Sequence, residues 1–249
     1  MGSPLAVEPA PCHLRSWADS VGAVIPVSAP PRVAAHLRSV GDASAAVLHH
    51  GPDAVYVDVA GRCVGVVGTR ATAVPCALRT TLGRLPDVVR ASVRSGVLHL
   101  DETPLVVGRM VDVAVPRLGA RRCGELDELG RRWSPDVAAL VGRGDGLTPY
   151  GDDVLCGWLA VHRAAGVATP EVDAAVRGLA HTTTLLSATL LDCAMHGEVI
   201  PEFAAWLAGL GTPDEEPLAA RLARVGHTSG RGLLEGARRA LVELERVAA

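Results

Sequence analysis

Three short segments hold the residues of this chain that could do chemistry. The first runs Gly142-Arg143-Gly144-Asp145-Gly146-Leu147-Thr148-Pro149-Tyr150-Gly151-Asp152-Asp153, a glycine-rich loop ending in adjacent carboxylates. The second, His181-Thr182-Thr183-Thr184-Leu185-Leu186-Ser187, gathers hydroxyls ahead of an apolar run. The third, Gly226-His227-Thr228-Ser229-Gly230-Arg231-Gly232, sets hydroxyls and an arginine between glycines. Each opens onto a helical pattern. The free N–H groups of a first helical turn and the helix dipole both favour an anion. Taken singly, each junction reads more readily as a helix cap than as a binding loop. If the three converge, they make a positively polarised pocket for a phosphate or a carboxylate. The contacts expected are Gly146, Thr148, Gly151, Thr183, Ser187, Thr228 and Ser229, with Arg231 adding a bidentate fork.

Asp152 is a natural N-cap for a helix read over Asp153 to Ala165, with Gly166 closing it. The other carboxylate is then free to bind a divalent cation or to accept a hydrogen bond from a substrate amide. Mg²⁺ suits one or two carboxylates plus a substrate phosphate. No third acidic ligand is identifiable, so no metal site is assigned, and Mg²⁺ stays open as the cation this pair admits. Asp152 and Asp153 are the acidic catalytic candidates. Among His181, His196 and His227, the glycine-flanked His227 has the best claim to catalysis. His49 and His50 are adjacent, so a strand would point them to opposite faces.

Several chemistries are excluded. There is no lysine, hence neither a Schiff-base lysine nor a Walker lysine. No GxSxG elbow, HExxH pair, P-loop or GxGxxG in a βαβ unit occurs. The six cysteines form no CxxC pair, which argues against a zinc ribbon, and a disulfide framework is not expected at this length. They read as buried thiols in a reducing cytoplasm. A net charge of −3 without a basic block gives no nucleic-acid footprint. No signal peptide or membrane helix is expected, because no uncharged apolar run reaches about 18 residues.

The elements that must position the three segments are read from periodicity. Short helices are expected at 12–22 and 32–40. Residues 54–59 and 62–67 alternate about a turn at Ala60-Gly61, a hairpin signal. Further strands are expected at 74–82, 97–100 and 105–115. From Leu118 the pattern is helical: 125–132, a helix capped by Ser134-Pro135-Asp136, another from Thr169-Pro170-Glu171 to Leu179, a run to Met195 stopped by Gly197, and 233–247. The fold class expected is α+β, with a β-rich N-terminal domain over residues 1–117, a small barrel or sandwich. A helical domain over 118–249 carries the central loop. With one Phe and two Tyr, the core must be built from Ala, Val and Leu.

Gly146-Leu147-Thr148-Pro149 with Gly151-Asp152-Asp153 and Leu155-Cys156-Gly157 resembles the GLTPSGDD-x-L-x-G signature of a bacterial domain family long labelled as of unknown function. Thr183-Thr184, Ser187, Leu190-Leu191, Ala194 and Gly197-Glu198 are similar to its second block. Gly226-His227-Thr228-Ser229-Gly230 with Gly236 is similar to its third. The resemblance covers about residues 140–240. The family includes the small subunit of oxamate carbamoyltransferase of anaerobic allantoin degradation. The resemblance therefore implies carbamoyl transfer between an amide-acid such as oxamate and phosphate, yielding carbamoyl phosphate. It also implies a small anionic substrate (carbamoyl phosphate, phosphate or an oxamate-like acid) and other carbamoyltransferase subunits as partners. Tyr150 stands where the family commonly has Ser, and Arg231-Gly232 where an aromatic and Asp often follow; both bear on the substrate. The Ser-x-Arg-Thr phosphate motif of ornithine and aspartate carbamoyltransferases is absent, Arg79-Thr80-Thr81 being a poor match, so their fold is not expected. A non-catalytic anion-binding regulatory or scaffold subunit, and a small-amide hydrolase, are the alternative readings.

Overall fold

The computed structural model describes residues 24–118 and 135–247. The helices expected at 12–22 and 125–132, and Ser134, lie outside the described residues.

The N-terminal half is a closed barrel. Its strands are β1 (Ile25–Ala29), β2 (Ala43–His50), β3 (Ala54–Val59), β4 (Arg62–Val67), β5 (Ala77–Arg79), β6 (Ala91–Arg94), β7 (Val97–Leu100) and β8 (Thr103–Met110), in the order β1-β5-β4-β3-β2-β6-β7-β8. A parallel β1–β8 pairing, Ile25 opposite Leu105, closes it. The α+β expectation holds, and the barrel is the realised form of the β half. The expected hairpin is β3–β4, with Val59 opposite Arg62. Ala60 and Gly61 both have positive φ, 50° and 79°, the type I′ geometry that suits strand twist. Helix α1 (Pro31–Ser39) buries Val33, Ala34 and Leu37 in the barrel's own core, beside Val55, Val57, Val64, Val66 and Leu98.

β4 is buried on both faces. Val64 and Val66 point into the barrel core, whereas Cys63 and Val67 join the core of the helical half. That double burial explains its continuous apolar sequence.

The helical half comprises α2 (Val137–Leu140), α3 (Tyr150–Ala164), α4 (Pro170–Leu179), a 3-10 turn at Ala180–Thr182, α5 (Leu185–Met195), α6 (Pro201–Ala208), α7 (Glu215–Leu222) and α8 (Ser229–Val247). α3 is its axis: every residue but Tyr150 and Arg163 is buried. α8 crosses it at backbone contact. A Cβ on Gly236 would lie 1.8 Å from the Val154 carbonyl oxygen, and one on Gly157 2.0 Å from that of Leu233.

Some boundaries differ from the sequence expectation. α3 starts at Tyr150, not Asp153, and its N-cap is Pro149, not Asp152. Proline's fixed φ, here −52°, presets the entry, and the Pro149 carbonyl accepts from the Asp152 and Asp153 N–H groups. Ala165 is the C-cap and Gly166 lies one residue beyond it, at φ 72°. Asp136 caps α2, accepting from the Ala139 N–H at 3.1 Å. The strand expected at 74–82 contracts to Ala77–Arg79, and that at 105–115 ends at Met110.

Candidate functional site

Asp152 sits at the meeting point of the first two segments and is fully buried. Its Oδ1 accepts from the Gly142 N–H at 2.8 Å. Its Oδ2 accepts from the Thr183 hydroxyl at 2.5 Å and the Ser187 hydroxyl at 2.6 Å. Three protein donors thus satisfy a carboxylate that is shut off from the surface. Gly142 is required here, since at φ 71° a Cβ would meet the Thr182 carbonyl oxygen at 2.6 Å. The Thr184 hydroxyl caps α5 by accepting from the Ser187 N–H at 3.0 Å, and donates to the Leu147 carbonyl at 2.6 Å. Gly151 presses on α2, where a Cβ would lie 2.1 Å from the Leu140 carbonyl oxygen.

Asp153, the next residue, faces the other way. It is 4% exposed and lines a cavity of about 220 Å³ between the barrel and the helices. Hydrogen bonds from Ser229 and Thr148 reach its carboxylate, and those two hydroxyls lie 2.9 Å apart. Its Oδ2 is buried and has no hydrogen-bond partner among the described residues. Burial pushes its pKa up to about 7; the charge of Asp152 adds to that rise, while the Ser229 and Thr148 hydrogen bonds oppose it. The carboxyl is therefore shared between its two protonation states at neutral pH.

The cavity draws on all three segments: Leu147, Thr148 and Asp153 from the first, Leu186 from the second, Gly226 and Ser229 from the third. Its remaining wall comes from Tyr56, Thr72, Val74 and Pro75 of the barrel half and from Leu190, Val199, Ile200 and Phe203. Glu198 closes another part, its Oε2 accepting from Arg32 at 2.9 Å. Cys156 lines it too, but burial first and the charge of Asp153 second raise its thiol pKa, so it stays protonated at neutral pH.

Of the residues singled out from sequence, Thr148, Asp153 and Ser229 face this cavity. Asp152, Thr183 and Ser187 form the buried cluster behind it. Gly146 lies in the exposed loop at φ 89°. His227 and Arg231 are exposed, Thr228 is half-buried, and none of the three lines the cavity. Several N–H groups at the three junctions have acceptors within the protein: Gly151 gives to Arg143, Asp152 and Asp153 to Pro149, Ser187 to Thr184, Gly230 to Val225, and Arg231 and Gly232 to Thr228. Among the described residues, no arginine or histidine lines the cavity. Its polar faces are hydroxyls and carboxylates. Glu198 and the barrel residues were missed as site residues; Glu198 alone had a signal, its place beside Gly197 in the second block.

Tyr150, the departure from the family pattern, does not line the cavity. Its hydroxyl donates to Glu235 on α8, which pushes its pKa up to about 12. Among the described residues, no group of three His, Cys, Asp or Glu side chains comes together as metal ligands, and no helix is long and apolar enough to cross a membrane.

Compared with known families, residues 140–241 match the one described as oxamate carbamoyltransferase subunit AllH. Searches of curated proteins and of solved structures return no match. The matched span contains the whole loop that ends in Asp152 and Asp153, the hydroxyl cluster behind it and the α8 junction that completes it. Over that helical segment, residues 140–241, the chain is similar to the oxamate carbamoyltransferase subunit AllH family.

Proposed function

We propose that this chain is a cytoplasmic subunit of a carbamoyltransferase, and that Asp153 handles the nitrogen of the amide that gives up or receives the carbamoyl group. The observation that carries this is the unpaired, buried Oδ2 of Asp153 in a cavity built by the three family segments. When phosphate oxygen attacks the carbamoyl carbon of an N-carbamoyl amide, a C–O bond forms and the C–N bond breaks. The departing amide nitrogen then needs one proton. A carboxylic acid with a pKa near 7 is suited to give it, and in the reverse direction its carboxylate takes it back. Thr148 and Ser229 hold Asp153 in place through their hydroxyls. Asp152 takes no part in proton transfer on this reading; it fixes the loop.

Among the described residues no cation lines the cavity, so on this reading the charge that meets the phosphate is supplied from outside it, by another subunit of the complex. Mg²⁺ is assigned no place in this subunit: Asp152 is filled by protein donors, and Glu198, the carboxylate that shares the cavity wall with Asp153, is bound by Arg32. The test is carbamoyl phosphate formation by the complex co-purified with this chain. Asp153→Asn is expected to lower kcat by about a hundredfold or more, the usual worth of a positioned acid–base group. Turnover within twofold of the parent would contradict the assignment.

A further inference from the structure

We propose that the cavity beside Asp153 accepts an uncharged primary carboxamide with a branched apolar body, in preference to a small dianion or monoanion such as oxamate. This rests on the amide-handling role given to Asp153 above and names the substrate class of that site.

The cavity has one polar end, and its chemistry is that of an acceptor. Asp153 Oδ2 is buried without a partner, so it has a place for one N–H. A primary amide supplies that N–H, and its second N–H finds acceptor lone pairs on the Thr148 and Ser229 hydroxyl oxygens, which lie 2.9 Å apart. A ligand carboxylate placed there would face Asp153 with no arginine or histidine among the described residues of the wall to offset its desolvation. Beyond the polar end the wall is Leu186, Leu190, Val199, Ile200, Phe203 and Leu233. Those side chains leave about 220 Å³ that oxamate, which has no apolar body, would leave largely to water. A branched aliphatic group fills the same space and gains by leaving water. Glu198, the second carboxylate of the wall, is held by Arg32 at 2.9 Å and is further reason for the cavity to reject an anion.

The experiment is ligand-induced thermal stabilisation of the full chain at pH 8, with isovaleramide, isovalerate and oxamate as probes. Isovaleramide is expected to raise the melting temperature saturably, with at least tenfold weaker effects from isovalerate and oxamate. Asp153→Leu, which removes the acceptor, and Leu190→Trp, which fills the cavity from its half-exposed rim, should each abolish the isovaleramide shift. Isothermal titration on whichever variant folds keeps the comparison available. Stabilisation by oxamate or isovalerate equal to that by isovaleramide, or none by isovaleramide, overturns the proposal. Binding of isovaleramide by the chain alone, combined with a complex that forms no carbamoyl phosphate, would overturn the carbamoyltransferase reading and leave this one standing. A complex active on oxamate with a chain that ignores isovaleramide would do the reverse.

Discussion

Two adjacent aspartates in one helical turn have opposite relations to their surroundings. Asp152 spends both oxygens on three protein donors. Removing it strands those donors in the interior, so Asp152→Ala should cost about 3–5 kcal/mol, read as a lower denaturation midpoint. An unchanged midpoint would mean that the cluster is not holding the loop. Asp153 is buried with an oxygen unpaired, and its folded pKa, about 7, lies above the ordinary 3.8. The folded state therefore binds the extra proton between those two values. The stability tied to that proton is fully present below the lower value, falls as pH rises through the window, and is gone above about 7. Asp153→Asn is accordingly expected to stabilise the fold at pH 8, by roughly 4 kcal/mol at most, and to change little at pH 4. Denaturant titrations at the two pH values check this; a stabilisation independent of pH would contradict it. The sequence marked both aspartates but could not tell them apart, because their difference lies in Thr183, Ser187 and the α8 residue Ser229, all distant along the chain.

At the scale of elements, the site depends on how closely α3 and α8 approach. Gly157 and Gly236 allow backbone contact, and Gly232 leaves room for Asp153, whose Cβ would lie 2.7 Å from a Cβ placed there. Gly236→Ala must push the helices apart and is expected to cost about 2–3 kcal/mol. Chemical denaturation measures it, and a loss under half a kilocalorie would show that the crossing is looser than described. The same variant should weaken isovaleramide binding, since Asp153 and Ser229 sit on the two helices that separate. Elements with a strong local signature were legible. The β3–β4 hairpin has alternation and a left-handed turn pair, and α5 has its threonine cap and a glycine stop. β2 was not, because its ASAAVLHH run is exposed at most positions and carries little alternation. β1 and β6 are short, and the chain from Pro201 to Leu222 has no capping side chain bonded at either helix start. The start of α3 was misplaced because proline geometry, not a carboxylate cap, begins it.

On the scale of the molecule, the cavity exists because barrel and helices share a core. Arg32 and Arg62, from α1 and β4, converge on Asp192 of α5 at 2.7 and 2.5 Å. The Cys63 N–H donates to the Thr189 hydroxyl at 3.0 Å. Burial tends to raise the pKa of Asp192, but its hydrogen bonds with Arg62 and Arg32 prevail and hold it below the ordinary value. Its contribution is thus present at neutral pH and is lost only in acid, below the ordinary carboxylate range. Asp192→Ala should cost about 1–2 kcal/mol, the pair being half-exposed, and should weaken isovaleramide binding as the barrel wall shifts. Equal binding by this variant would show that the wall does not depend on the ion pair. Tyr56, Thr72, Val74 and Pro75 reach the site only through this packing, so no local pattern in the chain marks them. The most direct measurement of the account is the titration of the Asp153 carboxyl carbon by NMR in the folded chain. A midpoint near 7 is predicted, since the carboxyl is buried and one oxygen is unpaired. A midpoint near 4 would mean a solvated or paired carboxylate, and would contradict both the cavity and the role given to Asp153.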